Sequence, residues 1–237
     1  MNLNYTKEDK RLNQISTLTW LPWIGENYFN QHKRLLIIGE SHYADGETMD
    51  AFQTNLNLSA KNDFTRNTIY QTQIQKAYEH KPLKNLFSAL FGNKLIDENK
   101  LWSQLAYYNF VQRSMNYSNI NNSKNTEQPT IKDFDLGWET FVELVKILKP
   151  TDCIFIGVRA AEPFERMMDK LNIQRTDRIV HPEINNVSPR TASIVIDGQQ
   201  INLTFIKHTS AYFSPEAWRA FLEEKNEECN LPLVKNT

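Results

Sequence analysis

The sequence predicts an α/β protein, a three-layer α/β/α sandwich on a mainly parallel central sheet. Two observations carry that expectation. Residues 34–39, Arg-Leu-Leu-Ile-Ile-Gly, and 152–158, Asp-Cys-Ile-Phe-Ile-Gly-Val, are short apolar runs that finish near a glycine. Such runs suit strands buried on both faces. Stretches with helical spacing of apolar residues separate the strand-like runs. Strand alternating with helix signals parallel pairing with helices on both faces.

Each element follows from local chemistry. After Gly39, the polar stretch 47–67 reads as a long loop beside the site. Residues 65–78 and 84–91 carry weaker helical patterns. Residues 105–112, Leu-Ala-Tyr-Tyr-Asn-Phe-Val-Gln, read as a strand, and the polar, aperiodic 116–128 as a mobile loop. Residues 137–148 form a helix whose inner face is Trp138, Phe141, Leu144, Val145 and Leu148, stopped by Lys149-Pro150. Residues 160–171 repeat that spacing with Phe164, Met167, Met168 and Leu171. Ile179 to His181 is a short strand. Residues 193–196 and 201–207 are strands joined by Asp197-Gly198, a hairpin signal. Ser214 caps a last helix with Pro215 in its first turn and Trp218, Phe221 and Leu222 inward. No repeat or long linker divides the chain, so residues 1–237 are expected to form a single domain.

Composition narrows the function classes. The 237 residues include 27 Lys+Arg and 28 Asp+Glu, a formal charge of −1. That excludes a globally basic nucleic-acid binder but not a local basic groove. Two cysteines, Cys153 and Cys229, are too few for a four-cysteine zinc site or iron–sulfur cluster. His42, Asp45 and Glu47 match no metal-ligand spacing, and no cofactor or metal is implied. Residues 1–14 lack the apolar core of a signal peptide, and no stretch reaches the ~18 apolar residues of a membrane span. A cytoplasmic setting without membrane contact is expected.

In parallel α/β sheets, ligands bind beyond the carboxyl ends of the strands. Three strand ends deliver polar side chains there. The first gives Gly39-Glu40-Ser41-His42-Tyr43. The second carries Asn109. The last gives His208-Thr209-Ser210, with Tyr212 and Phe213 just beyond. This ordered set resembles the uracil-DNA glycosylase superfamily. Members have a strand ending in a Gly-Gln-Asp-Pro-Tyr-His or Gly-Glu-Ala-Pro-Gly type of loop, then an Asn on a later strand. A Lys/Leu-Pro-x-hydrophobic-Gly strand and a His-Pro-Ser follow. Here the counterparts are residues 39–43, Asn109, Lys149 to Gly157, and His208-Thr209-Ser210. The resemblance spans about Leu35 to Phe221. The chain departs from the pattern at Ser41, where the most active branch has Asp, at His42, where Pro is usual, and at Thr209, in place of Pro.

The resemblance implies a uracil-DNA-glycosylase-like fold and a hydrolase that flips a base from DNA and cleaves its N-glycosidic bond. Such cleavage leaves positive charge on the sugar and negative charge on the departing base. Glu40 then orients water or stabilises the sugar cation, His208 stabilises the leaving base, and Ser41 stands in the catalytic loop. Asn109 reads the base edge with its carbonyl and amide, while Tyr43 and His42 wall the pocket. Thr209 and Ser210 suit phosphate, and Tyr212 and Phe213 suit a wedge into the base stack. Lys207, Arg190, Arg175 and Arg178 supply local positive charge. An alternative is a catalytically weak or inactive module on the same fold that binds a nucleobase, nucleotide or nucleic acid. A third reading, an esterase using Ser41, needs a Gly-x-Ser-x-Gly elbow, and Tyr43 occupies the last glycine's place.

Overall fold

The computed structural model describes residues 4–46, 48–92, 96–120, 123–210 and 212–229. Eleven strands lie among them: β1 (Trp23–Ile24), β2 (Leu35–Gly39), β3 (Tyr43–Gly46), β4 (Ala106–Asn109), β5 (Met115–Ile120), β6 (Ser123–Thr126), β7 (Asp152–Ile156), β8 (Gln174–Arg175), β9 (Ile179–Val180), β10 (Arg190–Ile196) and β11 (Gln199–Ile206). Eight α-helices accompany them: α1 (Asp9–Leu12), α2 (Met49–Ser59), α3 (Phe64–Ile69), α4 (Lys81–Phe91), α5 (Glu98–Gln104), α6 (Ile131–Leu148), α7 (Phe164–Lys170) and α8 (Pro215–Cys229).

The large sheet runs β1-β4-β2-β7-β11-β10-β8, with β9 also paired to β10. Its centre, β4-β2-β7-β11, is parallel, and β1, β10, β8 and β9 add antiparallel margins. The central strands are buried on both faces, as their unbroken apolar runs require. Alternate residues feed two cores. Leu36, Ile38, Cys153, Phe155 and Phe205 meet Trp138 and Phe141 of α6 and Phe164 and Met167 of α7. Leu35, Ile37, Ile154 and Ile156 meet Leu86 of α4, Trp102 of α5 and Trp218 of α8. The Phe155 and Phe205 rings stack 4.5 Å apart, and the Trp138 indole N–H donates to the Ala160 carbonyl at 2.9 Å. No helix among the described residues is long and apolar enough to cross a membrane.

Several expectations shift. The 47–67 stretch is mostly helical: Thr48 accepts from the Ala51 amide and opens α2, and α3 follows; Glu47 lies outside the described residues. The 116–128 stretch is mostly the β5–β6 hairpin, and β5 runs parallel to β3; residues 121 and 122 lie outside the described set. Its strands are set by a distant partner rather than by their own pattern, so no period-2 signal marks them. Arg113 anchors this hairpin to α6, donating to Glu127 at 2.6 Å and to Asp133 at 2.7 and 2.8 Å. That guanidinium holds the Asp133 carboxyl down to about 2. Helix α6 starts earlier than residue 137 because Thr130 and Asp133 form a capping box. The 65–78 helix divides into α3 and a π-helical stretch, Tyr70–Ile74.

Gly137 sits inside α6, where alanine ordinarily stabilises. A Cβ there would meet the Phe110 ring at 2.6 Å and the Phe110 carbonyl at 2.9 Å. Gly137→Ala is therefore expected to lower stability by about 1–3 kcal/mol in chemical denaturation, against helix propensity. An unchanged midpoint would show that α6 can retreat from the sheet without loss.

Candidate functional site

A cavity of about 760 Å³ opens beyond the carboxyl ends of the central strands. Gly39 to Tyr43 after β2, Tyr107 and Asn109 of β4, Ile156 of β7 and His208 after β11 form one side. Residues from α2, α3 and the π-helix, with Tyr78, His80 and Pro82, form the other. Glu40, Asn109 and His208 thus share one cavity, although His208 lies far along the chain from the other two.

Parallel register does the positioning. Gly39 pairs with Asn109 across β2 and β4. Beyond them the chain crosses over: the Phe110 amide donates to the Gly39 carbonyl and the Val111 amide to the Glu40 carbonyl, both at 2.8 Å. Gly39 is required by close approach. A Cβ at that point would lie 2.3 Å from both the Asn109 Oδ1 and the Tyr107 hydroxyl.

Asn109 is 1% exposed. The Tyr107 hydroxyl donates to its Oδ1 at 3.1 Å, which turns the amide nitrogen away from that contact. The Asn109 Nδ2 is buried with no protein partner. An unpaired buried donor costs about 1–3 kcal/mol, and Asn109 is one of several buried polar groups without a protein partner among the described residues.

The Glu40 carboxylate faces Gly157, whose φ of 144° suits glycine and whose added Cβ would lie 3.4 Å from Oε1. Burial raises the Glu40 pKa, and the Arg159 charge pulls the other way. Burial also raises Tyr43, with the Glu40 charge adding to it, so the phenol keeps its proton. His208 is half-buried, its pKa lowered by burial, and its Nδ1 lies 2.8 Å from the Ser210 hydroxyl. Lys61 is the one cation among the described lining residues.

Other expected site residues hold the scaffold instead. The Ser41 hydroxyl donates to the Arg113 carbonyl at 2.8 Å, with no imidazole bonded to it, so it braces the loop. A nucleophilic serine needs a base to take that proton. His42 lines the cavity but is clamped edge-on by Trp20 and Phe64, and its Nε2 lies 2.9 Å from the Thr65 hydroxyl. Thr209 is fully buried and donates to the Pro82 carbonyl at 2.8 Å, which leaves it no phosphate. Phe213 stacks on Trp218 in the core at 5.8 Å and cannot serve as a wedge. Tyr212 is 91% exposed. The expected basic face is also committed elsewhere. Arg175 pairs with Asp169 and Asp177, Arg178 with Glu165, Arg190 donates to the Val158 carbonyl, and Lys207 to Asn185. Arg175, Arg178 and Arg190 sit on or beside the antiparallel margin, Lys207 directly precedes His208, and none of the four lines the cavity.

Sequence reasoning missed His80. Its Nδ1 accepts from the Leu83 amide at 3.3 Å and caps α4. The neutral ring therefore carries its proton on Nε2. Burial lowers its pKa to about 4 and that of His42 to about 3. The signal was present as a helix-cap position, His80-Lys81-Pro82, before an apolar run.

Three neutral imidazoles in one cavity make the protein sensitive to acid. His42 and His80 titrate near 6.5 when unfolded but only near 3 and 4 when folded. The unfolded chain then binds more protons between those values, so stability is full above about pH 6.5 and falls as the pH drops toward 4. Each histidine contributes a slope of up to about 1.4 kcal/mol per pH unit in that window. Thermal denaturation from pH 7 to 4 should show this loss, and His42→Gln should flatten it. A Tm unchanged across that range would refute the buried neutral state. Gly39→Ala should displace the Asn109 and Tyr107 side chains and weaken any ligand bound there, while a second-site control, Gly198→Ala, should leave ligand binding unchanged.

No family model matches this chain, and a search of the curated proteins finds no significant match to it.

Proposed function

We propose that the protein hydrolyses the N-glycosidic bond of a nucleobase, in DNA, as a uracil-DNA-glycosylase-like enzyme. The observation that supports it most is the buried Asn109 amide, unpaired and in the same cavity as Glu40 and His208. A flat heterocycle with a carbonyl or unprotonated ring nitrogen satisfies that amide. The carboxyl-end location and the volume of about 760 Å³ suit a base with its sugar.

The chemistry then divides among the residues. The bond between the sugar C1′ and the base nitrogen breaks, and its electron pair leaves with the base. Glu40 as carboxylate stabilises the cation-like sugar and takes a proton from the water that attacks C1′. His208 donates a hydrogen bond to the base oxygen where negative charge gathers. This role assigns the Ser210 hydroxyl, 2.8 Å from Nδ1, as the donor of that bond and places the proton of the neutral ring on Nε2. Tyr43, protonated, walls the sugar side. The exposed Tyr212, four residues beyond His208, is the wedge candidate that the packing leaves available.

A second reading is a nucleobase or nucleotide binding module without catalysis. It is favoured by one observation: the basic residues expected to grip a DNA backbone are engaged within the protein.

Uracil-, hypoxanthine- and xanthine-containing oligonucleotides, single-stranded and duplex, separate the two. The hydrolase releases base and yields alkali-labile strands. Glu40→Gln should slow release by about 10²–10⁴-fold. The acid limb of the rate should lie above 4.5, since burial raises the Glu40 pKa from that value. No strand cleavage at enzyme excess for any lesion, with a nucleobase-dependent rise in Tm, would leave the binding module instead.

A further inference from the structure

We propose that a second cavity beside the first is a subsite for the neighbouring nucleotide, so that the ligand is a nucleic-acid strand rather than a free base or nucleoside. The inference rests on the nucleobase reading of the first cavity. The second cavity measures about 410 Å³, within the range of small-ligand sites, and the two share Tyr78 and His80 as a common wall. A unit covalently joined to a base in the first cavity has this space next to it.

The lining suits a nucleotide. Tyr78 and Phe87 offer rings, and ring stacking accepts any base. Gln73, 6% exposed, adds a carboxamide to the wall. Lys76 and Lys84 stand at the cavity, paired with Glu98 and Glu79 in exposed ion pairs. Such pairs are weak and exchange readily for a phosphate. Lys76 and Lys84 line the second cavity and Lys61 lines the first, so these are the cations that a backbone spanning the two would meet.

The backbone of the partition is costly. Residues 70–74 form a π-helix, a rare geometry that recurs at functional sites, and Lys76 follows at φ 56°, a left-handed conformation unusual for lysine. Both features frame this cavity. His80 also belongs to both spaces, and with its Nδ1 held by the Leu83 amide its neutral ring keeps a proton on Nε2.

Calorimetry on the full chain tests this with 2′-deoxyuridine monophosphate, the dinucleotide d(UpT) and a ten-residue oligo-dU. The dinucleotide should bind about tenfold tighter than the mononucleotide. Ser88→Trp, which fills the second cavity, should erase that gain and leave mononucleotide affinity unchanged. Lys76→Gln, which removes the charge without setting a second carboxylate against Glu98, should reduce the gain and the salt dependence of dinucleotide binding. Equal wild-type affinities overturn the inference, as does a gain that survives both variants. Tight dinucleotide binding without base release removes the hydrolase and keeps the subsite. Base release with no gain from the second nucleotide does the reverse. Binding of neither probe overturns both readings.

Discussion

The in-register pairing of Gly39 with Asn109 governs the geometry of the whole cavity. Parallel strands bring their ends to one level, and the turn after each end decides what reaches the opening. At Gly39 the neighbours press so close that only a hydrogen fits. That pressure sets the Tyr107 hydroxyl against the Asn109 carboxamide and aims its amide elsewhere. The Glu40 carbonyl, tied to Val111, then carries the carboxylate to the face of Gly157. One missing Cβ thereby leaves room for two side chains of β4.

Around that frame, burial controls charge. The cavity contains imidazoles, the Glu40 carboxyl and the Tyr43 and Tyr107 phenols, and each of these is pushed toward its neutral form, although the Arg159 charge moderates the shift of Glu40. Only Lys61 brings a formal positive charge to the described lining. The site is therefore equipped mainly with neutral polar groups and aromatic surface.

The central strands were legible in the sequence because unbroken apolar runs have few other uses. The Trp138 face of α6 and the Asp197-Gly198 hairpin were equally plain, and Asp197 and Gly198 do adopt φ of 50° and 77°. So was the meeting of Glu40, Asn109 and His208 at one cavity, expected from strand ends in a parallel sheet. Less was legible where partners are distant. The β5–β6 hairpin is polar and depends on β3, and α2 is held by a cap and a weak apolar face. The tasks of Ser41, Thr209 and Phe213 also escaped, because a loop residue's sequence does not say which carbonyl or ring lies across from it. His80 was overlooked because a histidine before Lys-Pro reads as an ordinary surface residue until α4 folds behind it.

That histidine ties two fates together. The imidazole that stops the first turn of α4 from fraying also forms the partition between the two cavities, and α4 leans on α8 across the second core. Any replacement chosen to alter recognition must also satisfy the Leu83 amide, and any replacement chosen to stiffen the helix alters the chamber. A replacement at this position therefore changes the shape of both cavities and the stability of the helix in the same stroke, and the simplest way to separate them is a new cap supplied from elsewhere in the loop.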